Sequence, residues 1–291
     1  MSSIILCNTG ADSLSKIDLD TFKVQKITFK LSERGVGPHS IRKYNNTIIT
    51  ANSYNNTISI FSTDTFEEIR RIDIGPNPND TIKVDDIIYT ICGESNSILA
   101  YDLTENKMLW HVSTGSWPHS IDYCNKHRII FIANLEENSV NILNLDSIEI
   151  TKTLLTPEYP IKVKVSNDEK FIYVCESYLG SDENGYLDVF SLENFNRVER
   201  IEVGSAPIDL CEDDKNIYVS NFTDGNISVI DKNTFKKYKT LHVGGMPKGI
   251  LKIDNKLYIG DYLKGRVIVI EDEAIKKIIA IESEPNAMIL F

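Results

Sequence analysis

Short runs of alternating apolar and polar residues fill the chain from end to end, each closed by Gly, Asn, Asp or Pro. A period of two in runs rich in Ile, Val, Thr, Tyr and Phe predicts half-buried β-strands, and no stretch carries the 3.6-residue period of a helix. From Gly204 the runs are Ile208–Cys211, Asn216–Asn221, Asn226–Asp231 and Tyr238–Val243, which we call strands A to D. Asp213-Asp214-Lys215 supplies the A–B turn and Asp231-Lys232-Asn233-Thr234-Phe235 the C–D turn, where Asp and Asn side chains can accept from nearby backbone amides. The C–D turn recurs as Asp18–Phe22 and Ser62–Phe66, and its Phe is expected to pack between neighbouring units.

A short phrase punctuates these four-strand units. It is clearest as Gly115-Ser116-Trp117-Pro118-His119-Ser120-Ile121 and returns as Gly35-Val36-Gly37-Pro38-His39-Ser40-Ile41. Its prolines are Pro38, Pro78, Pro118, Pro160, Pro207, Pro247 and Pro285, spaced 40, 40, 42, 47, 40 and 38 residues apart. A four-stranded sheet every forty residues cannot bury both faces alone, so the units stack around an axis. The expected fold is all-β: a seven-bladed β-propeller with four antiparallel strands per blade, forming one domain over residues 1–291. Only three strands precede Pro38 (Ile4–Asn8, Leu14–Asp18 and Lys23–Lys30) and one follows Pro285 (Ala287–Phe291). Three plus one completes the seventh blade and joins the two ends of the chain, which removes the open edge of the ring.

Composition narrows the partners. Thirty-one basic against forty-two acidic residues give a net charge of −11, which disfavours nucleic acid. No apolar stretch is long enough to span a bilayer, and the N-terminus reads as a strand of the repeat rather than a signal peptide. Cys7, Cys92, Cys124, Cys175 and Cys211 stand singly in strand-like runs, as reduced thiols of a cytoplasmic protein would. A closed ring has no obligatory partner, so a monomer is expected.

The phrase G-x-x-P-H-S-I, with strands such as Ile217-Tyr218-Val219-Ser220-Asn221 and Ile130-Phe131-Ile132-Ala133-Asn134, resembles the YVTN-repeat family of seven-bladed propellers, related to surface-layer and lactonase-like propellers. The resemblance implies the fold over the whole chain. Function varies across such propellers and must be argued from the site.

In a propeller the D–A and B–C loops open on one face, around the mouth of the central channel. The residue after each proline forms one expected ring: His39, Asn79, His119, Ile161, Ile208, Lys248 and Asn286. The last residue of each strand B forms a second: Asn8, Asn52, Cys92, Asn134, Glu176, Asn221 and Asp261. Tyr54, Trp117, Tyr159, Tyr178, Phe222 and Tyr262 follow just outside. Asn at the end of strand B can also serve as a scaffold cap, so departures from the repeat (Glu176, Asp261, Lys248 and Cys92) mark the candidate functional positions. Lys248 beside Asp261 is expected to form an ion pair. The B–C loop of the fourth blade, Ser177–Tyr186, is five residues longer than its counterparts and is either a finger over the mouth or a tolerated insertion. His111, His127 and His242 fall at positions of surface or packing character.

Two readings of function follow. The first is a cytoplasmic binding or scaffold propeller holding a peptide, protein or small polar ligand at the mouth, with Asp261, Cys92, Asn79, Asn286, Trp117, Tyr178, Tyr262, Phe222 and Tyr54 in contact with it. The alternative is an enzyme, a lyase or hydrolase, with His39, His119 and Glu176 as acid, base or ligands of a divalent metal, and Lys248 neutralising developing charge. G-P-H repeats also occur in propellers similar to streptogramin lyases, although the W-F-T-E strand ending of those enzymes is missing here.

Overall fold

A computed structural model describes residues 2–30, 35–178, 180–181 and 183–291 and arranges its twenty-eight strands as seven antiparallel sheets of four. The fifth blade comprises Pro207–Glu212, Asn216–Asn221, Asn226–Asp231 and Lys236–His242, each within two residues of its expected place. A single 3₁₀ turn, Thr9–Ala11, is the only helical element among the described residues.

The seventh blade is built from both ends of the chain. Pro285–Leu290 is its innermost strand, paired with Ser3–Asn8, which is followed outward by Ser13–Asp18 and Val24–Thr28. The register Ile4↔Leu290, Ile5↔Ile289, Leu6↔Met288 is extended by reciprocal backbone bonds between Ser3 and Phe291 of 3.0 and 2.7 Å.

The core lies between blades. Each of seven apolar clusters draws on two neighbouring sheets, as where Phe131, Ala133 and Val140 of the third blade meet Val163, Val174 and Phe190 of the fourth. This is why an isolated unit would leave an apolar face in water. The C–D turn Phe has the expected role. Phe66 packs on Phe291, Phe195 on Phe131 and Phe235 on Phe171, each across a blade boundary, with centroids 5.2, 6.3 and 5.1 Å apart.

One irregularity recurs in all seven blades and positions the site. The register between the two inner strands slips by one residue just after the repeat proline: Pro38 faces Asn52, but Ser40 faces Ala51, and Pro118 faces Asn134, but Ser120 faces Ala133. Such a bulge leaves one residue outside the ladder and re-aims its side chain. The residue before the proline adds a second constraint. Gly37, Asn77, Trp117, Tyr159, Ala206 and Glu284 all have φ between 44° and 59°. At Gly37 a Cβ would lie 2.4 Å from the Tyr54 ring, so a side chain there would force that ring to move. Elsewhere the left-handed turn is held by the preceding blade, with Trp117 N–H donating to Asn96 Oδ1 (2.8 Å) and Tyr159 N–H to Asn138 Oδ1 (2.9 Å).

Candidate functional site at the channel mouth

The bulge delivers the first ring to the channel. His39, Asn79, His119, Ile161, Ile208, Lys248 and Asn286 all border a cavity of about 510 Å³ along the axis. Three of these side chains reach into the next blade at the level of the ring. His39 Nδ1 contacts the backbone carbonyl of Asn79 (2.7 Å), Asn79 Nδ2 donates to the carbonyl of Pro118 (2.9 Å), and His119 Nδ1 contacts the carbonyl of Ile161 (2.8 Å). A carbonyl oxygen only accepts, so both imidazoles carry their proton on Nδ1. The two rings meet edge to face with centroids 5.3 Å apart. Burial first, and the nearby positive charge of Lys248, hold both imidazoles neutral, with His119 lowered to about 4.

Lys248, the cation of the first ring, differs from Arg42 and Lys162. Deeper inside, Arg42 contacts Asp80 (3.4 Å) and donates to the carbonyl of Ile121 (3.0 Å), and Lys162 contacts Asp209 (3.1 Å). Burial works against both charges, but the neighbouring carboxylates hold them cationic. Among the described residues no carboxylate lies within 4.0 Å of Lys248 Nζ, which sits 4.8 Å from the Tyr262 ring centroid. Burial lowers its pKa to about 8, against a weaker pull from Glu284 and Asp209. The sequence reading missed Arg42, Asp80, Lys162 and Asp209. Counting onward from each proline along strand A would have found them.

The second ring does not reach the mouth. Asn8, Asn52, Cys92, Asn134, Glu176, Asn221 and Asp261 are all fully buried. Each Asn donates to strand C of its own blade, five and seven residues on: Asn52 to Thr57 and Ser59, Asn8 to Ser13 and Ser15, Asn134 to Ser139 and Asn141, Asn221 to Asn226 and Ser228. Strand B lies one strand out from the channel, so its last side chain turns into the sheet rather than towards the axis.

The departures from Asn fill the same slot in matched sets. In the fourth blade Glu176 and Asp188 are both buried, and Arg200 Nη1 lies 2.8 Å from the first and 3.3 Å from the second. Burial, and then the Asp188 carboxylate, push Glu176 up to about 9, so the pair shares a proton. In the sixth blade Asp261 pairs with Arg266 (2.7 Å) and accepts from Met246 N–H (3.0 Å). The expected Lys248–Asp261 pair is therefore replaced by Asp261–Arg266. A side chain at Gly245 would collide with this carboxylate, at 2.2 Å from its Oδ2. In the second blade Cys92 faces Ser97, and burial raises its thiol to about 12, which leaves it protonated and a poor nucleophile.

Glu176 is thus separated from His39 and His119, and the three do not assemble as metal ligands. Among the described residues no three His, Cys, Asp or Glu side chains are gathered to hold an ion.

The aromatic residues expected outside the rings do not line the cavity, and they differ in exposure. Tyr54 is 59% exposed, Trp117 and Tyr178 are half-buried, and Phe222 packs on Tyr262 at 5.7 Å. In the long fourth-blade loop Tyr178 OH accepts from Arg200 (3.2 Å), whose guanidinium lies 4.0 Å from the Tyr186 ring. Leu179 and Asp182 of that loop lie outside the described residues. No helix of the described residues is long and apolar enough to cross a membrane.

Structural neighbours share the architecture at low identity. A functionally unknown protein from Desulfotomaculum acetoxidans DSM 771 superposes with a TM-score of 0.84 at 13% identity, covering 99% of this chain and 98% of that one. Hydrazine synthase of Kuenenia stuttgartiensis gives 0.80 at 16% identity, covering 89% and 91%. Dihydro-heme d1 dehydrogenase NirN, solved in complex with DHE, gives 0.71 at 13% identity over 96% of this chain and 63% of that one. At such identities the likeness speaks for the fold alone. No curated protein matches the chain. The sequence itself matches the YNCE-like beta-propeller family over residues 2–257, and with its seven closed blades the chain belongs to that family.

Proposed function

We propose that this protein is a binding propeller that holds a small polar ligand, anchored by an anionic group, at the mouth of its channel. Lys248 carries the reading. A cation withdrawn from water is normally compensated by a carboxylate, and Arg42 and Lys162 follow that rule while Lys248 does not. The ligand's anion supplies the missing partner, with Tyr262, Asn79 and Asn286 around it and Tyr54, Trp117, Tyr178 and Phe222 at the rim. Five free, buried cysteines support a reducing, cytoplasmic setting.

The test is a calorimetric titration with acetate, propionate and inorganic phosphate on wild type and Lys248→Met, which keeps the apolar stem and removes the charge. We expect at least one anion to bind the wild type and its affinity to fall by about tenfold or more in the variant. Binding unaffected by the substitution, or no binding of any anion, would overturn the reading.

A second reading, chemistry on the bound ligand, is favoured by the same group. A lysine lowered to about 8 borders the same cavity as two neutral imidazoles, and a group of that pKa can exchange a proton near neutral pH. Turnover of a bound candidate that disappears in His119→Ala while binding persists would establish it.

A further inference from the structure

Building on the anion site, we propose that the ligand is a small carboxylate that also carries a hydrogen-bond donor, a hydroxyl or an ammonium. The inference rests on the reading of Lys248 given above and adds what the two histidines require.

Both imidazoles use Nδ1 to bind a backbone carbonyl of the next blade, which fixes the tautomer. The remaining nitrogen, Nε2, then carries a lone pair and can only accept. Neither Nε2 makes a hydrogen bond among the described residues, and both rings border the cavity. With centroids 5.3 Å apart they can be touched by one small molecule. The histidines therefore offer nothing to a bare anion; they call for a donor. Lys248, on the same ring, calls for an acceptor. A single ligand that answers both carries a donor as well as an anion.

The layer below sets the charge. Asp80 and Asp209 line the same cavity, already engaged by Arg42 and Lys162. Asp122 lines it as well, but so do Lys43, Lys164 and Lys248, so five cations face three carboxylates. This positive balance favours an anionic ligand. The ring itself presents one charged donor, Lys248, against the several convergent donors of a phosphate cradle.

Lactate and propionate have the same charge and nearly the same shape, and differ by the donor. Calorimetry should show lactate, or alanine as the ammonium counterpart, binding about tenfold more tightly than propionate. His119→Asn retains a side-chain NH near the position of Nδ1 but has no Nε2. It should bring the ratio to within about twofold while leaving propionate affinity unchanged, an outcome that a merely structural histidine would not produce. His39→Asn provides the same measurement should His119→Asn unfold. Nitrogen-15 spectra of the wild type should show an unprotonated Nε2 on both rings. Equal affinity for lactate, alanine and propionate, or a proton on Nε2, overturns the donor requirement and leaves the anion site standing. Failure of all three to bind overturns both.

Discussion

His39 and His119, two blades apart, sit edge to face across Asn79, and each is tied by Nδ1 to the backbone of the following blade. The same side chains thus fasten neighbouring blades and border the channel. A scaffold role and a ligand role need not compete, because they use different nitrogens of the ring.

Anion affinity should depend on pH through Lys248. Its ammonium is complete well below its pKa of about 8 and lost above it. Affinity for lactate should be flat from pH 6 to 7 and fall by about tenfold per pH unit well above the break. In Lys248→Arg the break should vanish, since guanidinium stays charged. Calorimetry across the series checks this.

Stability should fall on acidification through the same histidines. In the unfolded chain they protonate near their ordinary value of 6.5, whereas the folded protein holds His119 neutral down to about 4. Their contribution is complete above pH 6.5 and shrinks as the pH drops towards 4. Urea denaturation should therefore show a smaller loss of stability over this range in the His39→Asn, His119→Asn double variant than in wild type.

Glu176 titrates in the opposite sense. The unfolded carboxyl ionises near 4.5, while the folded one keeps its proton to about 9 against the neighbouring Asp188. The stability it supplies is therefore full below pH 4.5 and declines as the pH rises towards 9. Glu176→Gln mimics the protonated form, so its melting temperature relative to wild type should climb with pH. Glu176→Ala keeps the Arg200–Asp188 pair but opens a cavity in the sheet, and should cost about 2–3 kcal/mol.

Removing residues 287–291 should open the ring. The last strand alone supplies the inner edge of the seventh blade, through its register with Ser3–Asn8. The truncated chain is expected to lose its cooperative thermal transition, and an unchanged melting temperature would refute this role of the closure.

Much of the architecture was legible in the sequence because it is written one-dimensionally. The proline spacing counted the blades, alternation located the strands, and the odd strands at the ends foretold the closure. The first ring was legible too, since Pro38, Pro118 and Pro247 mark the residues that follow them. The second ring was misplaced. Alternation says that Asn52 and Ala51 face opposite sides of a sheet, but not which side meets the channel, and Asn52 is committed to Thr57 and Ser59.

What the sequence by itself determined is the number, order and closure of the blades, because a repeat length and a period of two constrain local structure and nearest-neighbour stacking. What only the tertiary structure decided is which polar groups meet. The bulge after each proline brings His39, His119 and Lys248 to one cavity from residues far apart in the chain. The burial of strand B turns Glu176 and Asp261 away to Arg200 and Arg266. Those outcomes depend on the curvature of the ring and on contacts between blades, and neither is encoded in the spacing of any one repeat.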